Sequence, residues 1–343
     1  MVDVASGSPR GMSVGAAAVV VLGGAVAALG LLGGDDGGED EDAAAEAEGG
    51  TDTTTAAAPP DIPRGEPLAT STIAYTQVDG TFWNVWLVES DGSAPRALTR
   101  ENEDKARLPV LSPDRRSVAY SVEAAGGWEL RVTDSAGTGS RTVSTDLVSD
   151  ARATWSPDGS RLAFVGDRDG PDDVYVLDLA SGELTNLTGT PEDEGDPAWS
   201  PDGTTIAYWS TVDGDQDLWT IDVETGTTAG VTSAPENEAD PAWSPDGSTL
   251  AYSSDAGGDW EIYTVGMQGQ GTVQLTDNDG DDQDPAYSPN GAEIAVESKR
   301  DSLDRPDNDW AEIYVMATDG SGPRRVTVRD GLDIHPAWGI APP

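Results

Sequence analysis

The pentapeptide Trp-Ser-Pro-Asp-Gly occurs at residues 155–159, 199–203 and 243–247, at a fixed period of 44 residues. Leu-Ser-Pro-Asp-Arg at 111–115 and Tyr-Ser-Pro-Asn-Gly at 287–291 keep the same spacing on either side. A repeat of this length is one supersecondary unit that cannot bury its apolar face alone and must stack on its neighbours. The period therefore limits the chain to a ring or a row of equivalent units.

One unit shows which. From Trp199 the chain runs through the tight turn Ser200-Pro201-Asp202-Gly203 into Thr205-Ile206-Ala207-Tyr208, then Asp217-Leu218-Trp219-Thr220-Ile221, the turn Glu224-Thr225-Gly226, and Thr227 to Thr232. Proline fixes φ in such a turn and glycine supplies φ > 0. Four short strands per 44 residues, with no helical periodicity, describe a propeller blade. Ile73-Ala74-Tyr75 matches Ile206-Ala207-Tyr208, so an incomplete unit precedes residue 111 and lacks its first strand. Pro336-Ala337-Trp338 near the end supplies it. The reading is an all-β, six-bladed propeller closed by its C-terminal strand, which removes the open sheet edges.

Ahead of this body, Gly11 to Gly34 is a run of 24 uncharged, mostly apolar residues, long enough to span a bilayer as a helix. Arg10 before it and the acidic residues from Asp35 after it direct the body away from the cytoplasm. Ala25-Val26-Ala27 equally fits a cleaved signal segment, after which the protein is secreted. Residues 35–67 are acidic, Thr/Ala-rich and Pro-rich, with too little to bury, and read as a disordered tether. The expected organisation is 1–34 anchor or signal, 35–67 linker, 68–343 propeller.

Composition excludes more than it selects. The 343 residues hold no Cys, one His and a formal charge of −44. Disulfides, thiolate metal sites and multi-histidine metal sites are excluded. Binding to nucleic-acid phosphate needs clustered Lys and Arg, and lysine occurs only at Lys105 and Lys299. The acidity suits either a salty environment or a GC-rich coding bias.

The Pro-x-Trp-Ser-Pro-Asp-Gly motif, the Ile-Ala-Tyr/Phe strand, the Asp/Glu-Ile-Tyr-Val strand and the Leu-Thr ending together resemble the TolB-like propellers of the WD40-like PD40 repeat family. The resemblance covers nearly the whole body and implies a six-bladed propeller. The family includes soluble periplasmic scaffolds with a separate N-terminal α/β domain, in whose place this sequence has the apolar run and the tether. Its pectate-degrading lyases use several His ligands, which this sequence lacks.

The repeat register also superposes positions. Five residues before each Trp-equivalent stand Ala106, Asp150, Glu194, Glu238, Asp282 and Asp333. Three before it stand Leu108, Arg152, Asp196, Asp240, Asp284 and His335. Both rows share strand parity with the small residues just before the Trp. The expectation is that Asp150, Glu194, Asp196, Glu238, Asp240, Asp282, Asp284, Asp333 and His335 crowd one mouth of the central channel. There a negative field holds Ca²⁺ or a cationic ligand; the alternative is that these carboxylates cap turns in a very acidic protein. A second row, Glu129, Asp173, Asp217, Glu261 and Glu312 with Asn84, opens the third strand of each blade and reads as a repeated structural hydrogen bond. Asp277, Asp279 and Asp281 alternate like the start of a calcium loop, but Ser288 stands where the bidentate Glu belongs. Blade six carries seven extra residues around Lys299 to Trp310, with Lys299, Arg300 and Arg305.

No catalytic constellation stands out. Gly11-Met12-Ser13-Val14-Gly15 lacks the strand-turn-helix setting of a nucleophile elbow. The reading is a membrane-tethered, exported, non-enzymatic monomeric propeller that binds a protein or a cationic peptide ligand through an acidic channel mouth. The alternatives are a carboxylate-dependent glycan or peptide hydrolase and a Ca²⁺-stabilised structural surface protein.

Overall fold

The structure, a computed structural model, describes residues 61–100, 105–124, 127–147, 152–168, 170–212, 214–301, 310–328 and 331–339. The apolar run, most of the tether, Asp150 and the centre of the blade-six insertion lie outside the described residues. Among the described residues no helix is long and apolar enough to cross a membrane.

Six antiparallel four-stranded sheets make up the body. Blade 4 is representative: its strands Glu194–Trp199, Thr205–Ser210, Asp217–Asp222 and Thr228–Gly230 pair in chain order. In blade 1, Leu332–Ala337 pairs with Thr72–Asp79, followed by Phe82–Glu89 and Arg96–Ala97. The C-terminal strand thus completes the N-terminal blade, as the register of the repeats predicts.

The core lies between blades. Ala163, Val174 and Val176 of blade 3 share one buried cluster with Trp199, Ile206, Tyr208 and Ile221 of blade 4. The motif tryptophans tie neighbours together as well: Trp155 Nε1 donates to Val110 O at 3.2 Å and Trp243 Nε1 to Ala198 O at 3.0 Å. In the motif turn, Ser200 Oγ donates to Asp202 Oδ1 at 2.6 Å, and Gly203 takes φ 75°. A Cβ on Gly203 would stand 3.5 Å from Pro157 Cδ of the preceding blade, so the turns abut around the ring.

The one turn without glycine has another task. Arg115 stands in the glycine position with φ 59° and is buried. Its guanidinium donates to the carbonyls of Leu68 at 3.2 Å, Thr72 at 2.8 Å and Trp338 at 2.7 Å. It therefore joins the entering chain, the first strand and the segment beyond the closing strand. Just before it, residues that composition assigns to the tether are built into the fold. Gly65 N donates to Arg116 O at 2.8 Å, and Ser117 Oγ to Pro63 O at 2.5 Å.

The feature that sets the site is an irregularity in the inner strands. In blade 4, Gly195 pairs with Trp209 but Ala198 pairs with Ala207, so the inner strand carries one extra residue. The same shift occurs in blades 2, 5 and 6. Leu108, Asp196, Asp240, Asp284 and His335 sit in this bulge with φ between 49° and 54°, each followed by proline. Proline has no N–H for the ladder, which confines it within a sheet to edges and bulges. Asp tolerates the left-handed conformation better than most residues.

Candidate functional site

A bulge reverses the side-chain parity across it. Glu194 pairs with Ser210 and Ala198 with Ala207, partners on opposite faces of their strand. The expected single acidic mouth is therefore two separate sites, and the shared parity of the two rows is corrected.

The row five residues before the Trp is buried between blades. Glu194, Glu238, Asp282 and Asp333 are each 3% exposed or less. Each donates its backbone N–H to the carbonyl just before the third strand of the preceding blade, as Glu238 N does to Gln216 O at 2.8 Å. Thr190 Oγ1 donates to Glu194 Oε1 at 2.6 Å, and Thr232 Oγ1 to Glu238 Oε2 at 2.7 Å. Asn278 Nδ2 donates to Asp282 Oδ2 at 2.7 Å, and Gln77 Nε2 to Asp333 Oδ1 at 3.3 Å.

The partner row behaves as a structural element. Thr188 Oγ1 bonds Asp173 at 3.1 Å, Thr327 Oγ1 bonds Glu312 at 2.7 Å, and Asn278 N bonds Glu261 at 2.7 Å. The threonines that end the blades also accept strand N–H groups: Leu218 N donates to Thr232 Oγ1 at 2.8 Å and Ile262 N to Thr276 Oγ1 at 2.8 Å. Burial first, and the charge of the facing Asp217, pushes Glu238 up to about 7. Burial, with Asp282 and Asp333 respectively, does the same for Glu261 and Glu312, each up to about 7. Two buried carboxyls cannot both ionise cheaply, so such pairs hold a proton near neutrality.

The row three residues before the Trp reaches the channel. Arg152 Nε lies 2.8 Å from Asp196 Oδ1, and its Nη1 lies 2.6 Å from Asp240 Oδ1 and 2.5 Å from Asp284 Oδ1. One guanidinium from blade 3 thus bridges carboxylates from blades 4, 5 and 6. Burial opposes its charge, but Asp196, Asp284 and Asp240 outweigh burial and hold it protonated. Burial lifts Asp196 to about 6 despite Arg152, and burial with the neighbouring Asp284 lifts Asp240 to about 6.

The adjacent strand orients this ring. Trp209 Nε1 donates to Asp196 Oδ2 at 2.7 Å, and Ser253 Oγ to Asp240 Oδ2 at 2.8 Å. The indole of Trp209 fits because residue 195 is glycine; a Cβ there would stand 2.3 Å from the ring. Glu297 fills the position equivalent to Trp209 and Ser253, and accepts from His335 N at 3.3 Å. Burial, then Asp284, pushes Glu297 well above the usual carboxylate range. Burial, with Arg152 and Arg107 nearby, keeps His335 neutral, and its Nε2 lies 4.0 Å from Asp284 Oδ2.

From this ring a cavity of about 210 Å³ opens towards the Ser-Pro-Asp-Gly turns. In blades 4 and 5 its wall is a proline after the ring residue, an alanine, the tryptophan of the motif and the turn proline, and the other blades contribute variants of this set, such as Pro109, Val110, Leu111 and Pro113. The cavity is an apolar funnel on a charged floor.

Other expected residues fall elsewhere. Asp277 and Asp279 are exposed, and Asp281 pairs with Lys299 at 3.0 Å. They do not form a cluster of candidate ligands; among the described residues that description fits Asp284, Glu297 and His335. In the blade-six insertion Arg300 pairs with Asp282 at 2.7 Å and lies over the Tyr314 ring at 4.5 Å. Sequence reasoning missed the central part of Arg152, whose signal is a cation in a row of aspartates. It also missed Glu297, whose signal is a charge within the apolar strand Glu293–Ser298.

The fold and the axial cavity define a class: six-bladed propellers whose inner strands line a cavity. The family model of the TolB β-propeller domain matches residues 68–233 and 195–341, and the chain belongs to that family. The Tol-Pal system protein TolB of Dechloromonas aromatica (strain RCB) is 36% identical over 76 residues, 21% of this chain and 18% of that protein. Its counterpart from Methylobacillus flagellatus is 36% identical over 70 residues, 20% of this chain and 16% of that protein. The matched segments thus span under a fifth of each curated relative. Among solved structures, TolB from Acinetobacter baumannii superposes with a TM-score of 0.70 at 20% identity, covering 79% of this chain and 67% of that one. Putative TolB from Agrobacterium tumefaciens gives 0.63 at 21% identity, covering 79% and 94%. These likenesses at low identity concern the fold.

Proposed function

We propose that the protein is an extracytoplasmic, envelope-associated scaffold, without catalytic activity, that captures a protein partner through the funnel at its axis. The observation that carries this reading is the funnel itself. Blades 1, 4, 5 and 6 each contribute a Pro/Ala/aromatic lining, blade 2 contributes Pro109, Val110 and Leu111, and blade 3 contributes Ala153, Thr154 and Trp155, so an apolar recess is presented at one end of the ring. Apolar recesses with a few oriented polar groups at the base concentrate binding energy in a small area.

Kinship with proteins named for the Tol-Pal system makes an envelope assembly the natural setting. The apolar run at 11–34 and the acidic segment after it would hold the propeller outside the cytoplasm near a membrane. The lone histidine sits neutral at the floor, bonded through its backbone, which suits positioning rather than proton transfer.

The test is capture from the native envelope by the full chain and by Ala242→Trp, which fills the funnel. The reading expects a specific protein retained by the former and lost by the latter, with equal melting temperatures. Equal capture by both would refute the funnel as the docking site.

A further inference from the structure

The floor of the funnel has a corner whose chemistry is more specific than that of an acidic ring. One candidate ligand atom from each of Asp284, Glu297 and His335 lies within 4.8 Å of the other two. Arg152 occupies Asp284 Oδ1, which leaves Oδ2 turned towards His335 Nε2, 4.0 Å away. Nδ1 of His335 is buried with no hydrogen-bond partner among the described residues. The ring is neutral, so one of its nitrogens is an acceptor.

Three acceptors around a point suit a particular donor. An ammonium has three N–H bonds, and acceptors at hydrogen-bonding distance from it stand about 4.6 Å apart. A metal ion with ligands at about 2.0–2.3 Å in the same tetrahedral geometry would draw them to roughly 3.3–3.8 Å. The 4.0 Å between Asp284 Oδ2 and His335 Nε2 is wider than that metal spacing, and among the described residues the apolar walls above the corner offer no further ligands to complete a metal's coordination, which favours the ammonium. A guanidinium prefers planar, two-point contacts and matches a tripod less well.

Charge and shape agree. Asp196, Asp240 and Asp284 outnumber Arg152 at the floor, so a further cation is attracted. A cavity of about 210 Å³ falls below the ~300–1,000 Å³ usual for small-molecule sites and fits one long side chain. Its walls are apolar, so whatever reaches the floor must carry an aliphatic stem.

We propose that the Asp284–Glu297–His335 corner receives the ammonium of a lysine side chain of the partner protein, inserted through the apolar funnel from the Ser-Pro-Asp-Gly face. The inference rests on the funnel as docking site and names the residue that enters it. Arg152 is the built-in counter-ion that offsets the mutual repulsion of Asp196, Asp240 and Asp284 while the corner is empty.

The experiment uses the full chain and three small probes: Nα-acetyl-lysine N-methylamide and its norleucine and arginine counterparts, titrated by NMR. The lysine probe should bind at least tenfold more tightly than either other probe. Asp284→Asn and Glu297→Gln should each weaken it at least fivefold while melting within a few degrees of the parent protein. If norleucine or arginine binds as well as lysine, or if both folded variants keep full affinity, the inference is wrong. Binding of Ca²⁺ or Mn²⁺ at the corner with no response to the lysine probe would also overturn it. Loss of partner capture in Ala242→Trp alongside a failed lysine probe would leave the docking site standing and remove only its named occupant.

Discussion

Glu238 and Asp240 are two residues apart on one inner strand, and the same holds for Glu194 and Asp196 and for Asp282 and Asp284. By composition the two rows are alike. In the structure the first row is sealed between blades against threonines and a second carboxyl, while the second row surrounds Arg152 on the axis. The difference comes from one inserted backbone residue per strand, not from side-chain chemistry. Glu238, buried against Asp217, becomes a proton holder, whereas Asp196, Asp240 and Asp284, buried around Arg152, share one ion-pair network.

The contrast is most severely tested at Arg152. Arg152→Met leaves three mostly buried aspartates without their counter-ion, and removing one partner of a buried ion pair costs about 3–5 kcal/mol. Urea unfolding at pH 7.5 should show a loss of that size. The corresponding change in the other row, Glu238→Gln, should cost nothing at that pH, since its carboxyl has no cation to lose.

The pH dependence follows from the sealed row. Glu238, Glu261 and Glu312 have folded-state values of about 7 against an ordinary 4.5. Their contribution to stability is therefore complete below about pH 4.5 and is lost as pH rises through 7. Each shift corresponds to on the order of 3 kcal/mol before coupling within the pairs is counted. Thermal melts should show a falling stability between pH 5 and 8, flatter in Glu238→Gln. An unchanged slope in that variant would remove Glu238 from the proton-holding set.

Smaller effects belong to the supports. Gly195→Ala pushes a Cβ into the Trp209 indole that orients Asp196, and should destabilise by about 1–3 kcal/mol through overpacking. Arg115→Gly restores the glycine of the other turns but removes three bonds at the ring closure. A loss of about 1–3 kcal/mol in a denaturant melt is expected, since hydrogen bonds from a buried charge exceed what relief of one left-handed residue returns.

The fold was legible because its signal is local and periodic. Each Ser-Pro-Asp-Gly turn states its own geometry, and Pro336-Ala337-Trp338 states where the ring closes. The site was legible only in its membership. Asp196, Asp240, Asp284 and His335 stand out by register, but which face they occupy depends on the bulge. The prolines at 109, 197, 241, 285 and 336 are the trace of that bulge, because a proline inside an inner strand cannot serve the ladder. Glu297 and the reach of Arg152 across three blades depend on spatial neighbours 38 to 132 residues away, which no local pattern encodes.

The absence of cysteine makes the central claim directly measurable. Glu194→Cys and Asp196→Cys, made singly in the full chain, place a thiol at the two positions whose fates the bulge separates. Reaction with a small, positively charged thiosulfonate under native conditions should be at least tenfold faster at residue 196, on the channel, than at residue 194, between blades. Equal rates, or faster reaction at 194, would contradict the account.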